Sequence, residues 1–161
     1  MAKPTVYIET TIPSFFTARP SSDVDASAKK LATIQWWDEQ RFAFDLVTSN
    51  LVIEEAERGH PEASKRRLDF LEPIALLVSN EHSLKLAQYL VEQHALPTNS
   101  LMDAHHVALS AIFQVDYLLT WNCKHIANAT MRDKIALSCE AMGFVAPKLC
   151  TPAELIDLTG F

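Results

Sequence analysis

The chain has 161 residues, 48% of them hydrophobic and 21% charged, which fits one ordinary globular domain with a substantial core. Its net charge of −6 and pI near 5.4 exclude the global basic field that marks tight nucleic-acid binders, although bridging cations or a local basic patch would still let it act on phosphates. Three glycines, with no GxGxxG, GxxxxGK[ST] or GxSxG, exclude a phosphate-cradling loop and a nucleophile elbow.

Residues 4–9, "PTVYIE", read as a first strand that ends in an acid. Thr11 to Ser22 carries two prolines and several hydroxyls and reads as a loop or short turn. From about Asp23 to Arg41, Val24, Ala28, Leu31, Ile34 and Trp37 recur at helical spacing, with Ser22 or Asp23 as the cap. "FAFDLVTS" (42–49) is a second strand. Ser49 or Asn50 then caps the helix "LVIEEAERG", which Gly59 closes. A further helix runs from Pro61 to about Leu71, and "IALLVS" (74–79) is a third strand. Asn80 caps "EHSLKLAQYLVEQHA", and Asn99 or Ser100 caps "LMDAHHVALSAIFQ". "DYLLTW" (116–121) is a fourth strand, apolar in its middle as a strand covered on both faces is. A helix at about 130–142 stops at Gly143, "KLCT" (148–151) is a fifth strand, and Pro152 opens a last helix.

Alternating strands and helices predict an α/β fold, a three-layer α/β/α sandwich around a mainly parallel sheet of four to five strands, in a single domain over 1–161. No apolar run approaches the ~18 residues of a membrane span and no signal-peptide pattern opens the chain, so a cytoplasmic location is expected. Cys123, Cys139 and Cys150, odd in number and far apart, are expected as reduced thiols.

Parallel sheets bind ligands beyond the carboxyl ends of their strands. Glu9 ends the first strand. Glu54 and Glu55 lie early in the helix after the second, Asp103 lies in the first turn of the helix before the fourth, and the fourth ends at Thr120-Trp121-Asn122. Four elements therefore deliver Glu9, one of Glu54 and Glu55, Asp103 and Asn122 to one edge. Singly, each has an ordinary explanation: acids complement the helix dipole in a first turn, and asparagine suits turns. Jointly, crowded carboxylates repel one another unless a positive charge sits among them. Mg²⁺ or Mn²⁺, which take oxygen ligands and keep several waters, would relieve that repulsion. Such a cage suits phosphoryl chemistry.

"VYIETTIPS", "TSNLVIEEAERG", "DAHHVALSA" and "DYLLTWNCKHIAN" resemble the PIN-domain proteins, in particular VapC-like toxin ribonucleases of toxin–antitoxin pairs. The likeness runs from Val6 to about Pro152. It implies a metal-dependent endoribonuclease that hydrolyses single-stranded RNA, with Mg²⁺ or Mn²⁺ as cofactor and an antitoxin protein as partner. By position, the family's acids fall on Glu9, Glu55, Asp103 and Asn122 as catalytic and metal-binding residues, and Glu55 is preferred over Glu54. Thr10 and Thr120 match positions that shape such a site. Glu9 and Asn122 stand where many members carry aspartate, which leaves three formal negative charges and a weaker or single-metal site. A catalytically inactive PIN-like module that binds RNA or a protein partner is the alternative.

The adjacent His105 and His106 point ~100° apart on a helix, so they do not share a zinc ion, and His106 is expected at or near the surface, with a supporting role at the site as the alternative. Arg58, His60, Lys65, Arg66 and Arg67, and beyond Asn122 the stretch Lys124, His125, Arg132 and Lys134, are candidate contacts to an RNA backbone. Trp36, Trp37, Phe42 and Phe44 are expected mainly in the core, with any exposed part serving a homodimer or antitoxin interface.

Overall fold

The computed structural model describes residues 2–157. Five parallel strands form one sheet in the order β3-β2-β1-β4-β5. They are β1 (Thr5–Ile8), β2 (Asp45–Ser49), β3 (Ala75–Leu77), β4 (Tyr117–Leu119) and β5 (Lys148–Cys150). Seven helices connect or flank them: α1 (Thr11–Thr17), α2 (Val24–Glu39), α3 (Asn50–Ala56), α4 (Pro61–Leu71), α5 (Glu81–Glu92), α6 (Leu101–Ile112) and α7 (Ala129–Ala141). β1 is central, with Tyr7 in register with Val47 on one side and Leu118 on the other. Val6, Tyr7, Ile8, Leu118 and Leu119 are fully buried, as the continuous apolar run of a covered parallel strand requires.

The local signals act as expected at most junctions. Ser49 accepts a hydrogen bond from the Val52 N–H and starts α3. Asn80 and Ser83 form a reciprocal capping box on α5. Gly59 and Gly143 follow their helices at positive φ.

Three expectations fail. Residues 11–17 are helical, not loop. Pro13 occupies the third helical position, where the missing N–H has no helical acceptor to lose. The Ser14 and Thr17 hydroxyls donate to carbonyls four residues back, and Phe16 packs on Trp37 and Phe70. The second strand begins at Asp45 instead of Phe42, because Arg41–Ala43 forms a 3-10 turn. That turn leaves Phe42 64% exposed while Phe44 stacks on buried Trp36, so the aromatic group is only partly core. Finally, Pro152 opens a turn, and no helix follows through Asp157. The Trp36 indole N–H donates to the Leu155 carbonyl at 2.7 Å, and the Gln40 side chain accepts the Asp157 N–H at 2.8 Å, so α2 captures backbone groups that a helix would use internally. The rest of that expected helix lies in 158–161, outside the described residues. Among the described residues no helix is long and apolar enough to cross a membrane.

Candidate metal centre

Glu9 follows β1 directly. Its N–H continues the ladder to the Leu119 carbonyl at 3.2 Å, so the carboxylate turns into the carboxyl rim of the sheet. It is 4% exposed. One oxygen, Oε1, accepts from the Thr11 N–H at 3.0 Å, the Thr11 hydroxyl at 2.5 Å and the Thr120 hydroxyl at 2.7 Å. Burial pushes the Glu9 carboxyl above its ordinary pKa, only partly offset by His106 and by these donors.

Glu55 comes from α3, and its Oε1 accepts from the Thr10 hydroxyl at 2.7 Å and from His106 Nε2 at 2.5 Å. Glu54, one position earlier, points to solvent. Burial works to raise the Glu55 pKa, but His106, Thr10 and the Arg58 charge outweigh it and hold the carboxyl below the usual range.

His106 is fully buried, which overturns the surface reading. Its helix is apolar nearly all round, with Ala104, Val107, Ala108, Leu109 and Ala111 buried beside it, so a histidine there has no route to water. Nδ1 meets the Tyr7 hydroxyl at 2.6 Å, and Tyr7 in turn meets the Ser49 hydroxyl at 2.6 Å. Burial works to lower the His106 pKa, but the hydrogen bond and charge of Glu55, then the charges of Glu9 and Asp103, raise it overall.

Carboxylate oxygens of Glu9 and Glu55 and a ring nitrogen of His106 lie within 4.8 Å of one another. Asp103 does not join that group. Its Oδ2 accepts from His125 Nδ1 at 2.9 Å, and the same nitrogen lies 3.1 Å from the Ser100 hydroxyl. Asn122 accepts the His125 N–H on Oδ1 at 3.1 Å and donates its own N–H to the Thr120 hydroxyl at 2.9 Å. A hydrogen-bonded path thus runs from Asp103 through His125, Asn122 and Thr120 to Glu9. Tyr7 and Thr11 are residues of this cluster that the sequence did not reveal, and His125, expected as an RNA-backbone contact, instead bonds Asp103. A histidine three residues after Asn122, within reach of an asparagine-started turn, was the available signal for His125.

The donor set fits a hard cation. Both ring nitrogens of His106 are engaged, so neither is free to coordinate an ion. The second oxygen, Oε2, of Glu9 and of Glu55 has no partner among the described residues, so each carboxylate has one oxygen to offer. Oxygen donors of this kind suit Mg²⁺ or Mn²⁺.

The basic stretches are largely occupied. Arg67 donates to the Ala56 and Arg58 carbonyls, Arg66 to the Thr17 carbonyl, and Lys65 pairs with Asp69. Arg132 forks onto Glu154 at 3.0 and 3.1 Å. Lys124 and Lys134 remain exposed.

No protein-family model and no curated protein matches the sequence. Solved structures do match in shape. A Mycobacterium tuberculosis VapC20, described as a sarcin–ricin loop cleaving toxin, superposes with a TM-score of 0.57 at 14% identity over 88% of this chain and 99% of its own. This chain has the PIN-like fold. VapBC2 of Rickettsia felis, solved on a DNA fragment of its promoter, gives 0.54 at 13% identity over 91% and 98%. A toxin–antitoxin complex from Klebsiella pneumoniae gives 0.56 at 15% identity over 93% and 99%. In this sheet Glu9 directly follows β1, and Glu55 lies in α3, the helix that follows the adjacent strand β2.

Proposed function

We propose that the chain is a metal-dependent endoribonuclease that hydrolyses single-stranded RNA and serves as the toxin of a toxin–antitoxin pair. The observation that carries this reading is the pair Glu9 and Glu55, crowded within 4.8 Å with one oxygen of each unengaged. The similar solved structures support it, since they include a toxin that cleaves the sarcin–ricin loop and toxin–antitoxin assemblies.

In this reading Glu9 and Glu55 hold Mg²⁺ or Mn²⁺, with Asp103 and the Asn122 amide oxygen completing the ligand set. When bound, the cation supplies polarisation of the scissile phosphate and a lowered pKa for water. The chain's own part is geometric and electrostatic. Thr11 and Thr120 fix Glu9, and Thr10 and His106 fix Glu55. Asp103, 22% exposed, is the carboxylate placed to accept a proton from the attacking water. Exposed Lys124 contacts the RNA backbone. An antitoxin chain and a second copy of the protein are its partners, in the cytoplasm.

Incubating a single-stranded RNA with the protein and Mn²⁺ tests the reading. Cleavage that EDTA abolishes, that Asp103→Asn abolishes and that spares DNA of the same sequence supports it. Cleavage that persists in Asp103→Asn, or RNA retained uncut in Mn²⁺, contradicts it.

A further inference from the structure

The sequence offers His106 a supporting role at the site only as an alternative, and the structure gives its ring two hydrogen-bond partners in a dry place, Glu55 and Tyr7. The carboxylate of Glu55 only accepts, so His106 Nε2 carries the proton and donates at 2.5 Å. On the other side of the ring, Nδ1 meets Tyr7, which is fully buried in the central strand, and Tyr7 meets Ser49. Ser49 is the cap of α3, the helix that carries Glu55. The chain of contacts therefore starts at the foot of α3, crosses β1, reaches α6 and returns to α3 at Glu55. Each rotor in it is held from both ends, which leaves the Glu55 side chain one orientation.

A consequence concerns how Glu55 presents itself. Its Oε1 is occupied by two donors, His106 Nε2 and the Thr10 hydroxyl. Glu9 is treated alike, with three donors on Oε1 and none on Oε2 among the described residues. Two carboxylates that would otherwise chelate through both oxygens are each reduced to a single donor atom.

We infer that His106, backed by Tyr7, is a positioning residue that holds Glu55 as a one-oxygen ligand for a divalent cation. The inference rests on the metal-centre reading above, and it adds a role for a histidine that touches neither cation nor RNA. Outer partners of metal ligands typically alter affinity by about 10–100-fold when removed.

The test is Mn²⁺ binding by calorimetry on the RNA-free protein, with thermal unfolding of each variant as the control for folding. Glutamine reaches the place of Nε2 and keeps a donor for Glu55, whereas asparagine reaches only the place of Nδ1. The expected result is an Mn²⁺ affinity about tenfold or more weaker in His106→Asn, near wild type in His106→Gln, and weakened to a smaller degree in Tyr7→Phe. A histidine that merely fills space would make the asparagine and glutamine variants alike. If wild type binds Mn²⁺ and both variants bind equally well, the positioning role is wrong and the metal centre stands. If wild type binds no Mn²⁺, the metal-centre reading and this inference fall together. Should His106→Asn fail to fold, Tyr7→Phe decides: unchanged affinity overturns the inference.

Discussion

His106 and His125 both meet carboxylates at the rim, at 2.5 Å to Glu55 and 2.9 Å to Asp103, yet the two halves of the site are built differently. His106 is 0% exposed and uses both ring nitrogens. His125 is 21% exposed, divides Nδ1 between Asp103 and Ser100, and has no partner on Nε2 among the described residues. A group whose polar atoms are all matched away from water has one arrangement. A group with spare valence beside water has several of similar energy. The inner half, Glu9 with Glu55, is therefore a fixed frame. The outer half, Asp103 with Asn122, keeps spare hydrogen-bonding valence beside water and is the half free to rearrange. Thr120 joins the halves, donating to Glu9 and accepting from Asn122.

This division is broken most severely from the inner side. Glu9→Gln removes a charge from the fixed frame, and cleavage is expected to fall about 10³-fold, the scale of several kcal/mol of charge stabilisation. Because burial makes the ionised Glu9 costly, the same change raises the metal-free Tm by a few degrees. A variant that loses activity and stability together would show that Glu9 is held for structure.

Thr120→Val tests the joint. It removes a donor from Glu9 and an acceptor from the Asn122 N–H, so a roughly tenfold loss in rate and a Tm several degrees lower are expected. His125→Ala acts only on the outer half. Its rate should drop about three- to tenfold while Tm moves by less than about 2 °C, as for a substitution near the surface. A Tm loss as large as that of Thr120→Val would erase the distinction between the halves.

The smallest expected effect is on pH. The His106 pKa is raised, so the folded protein keeps a proton that the unfolded chain releases near 6.5. That stabilisation is present below pH 6.5 and is lost as pH rises through the folded value. Glu9, also raised, acts in the same direction from about 4.5 upward. Glu55, lowered, contributes above 4.5 and loses its contribution as pH falls through its folded value. Urea midpoints in EDTA should therefore fall as pH rises above 6.5. A flat profile would place His106 neutral throughout.

Much of this was legible in the sequence because covered parallel strands and capped helices leave short-range marks. "VYI" before Glu9, Asn80 before α5 and Gly143 after α7 each specify their element locally. What escaped depends on distant partners. α1 reads as a loop because of Pro13 and its hydroxyls, whereas packing of Phe16 on Trp37 and Phe70 favours a helix. The last turn depends on Trp36 and Gln40 reaching across from α2. At the site, strand ends were enough to place Glu9 and Glu55 on one edge. Nothing in the spacing told that Tyr7 and His106, 99 positions apart, would touch, nor that His125 would draw Asp103 toward the outer side.

A crystal structure with Mn²⁺, located by anomalous scattering, tests the central claim most directly. The account predicts an ion about 2.1 Å from Oε2 of both Glu9 and Glu55, while each Oε1 keeps its threonine and His106 donors. An ion bound through the Oε1 atoms, with His106 displaced from Glu55, or no ion between the two carboxylates, would contradict it.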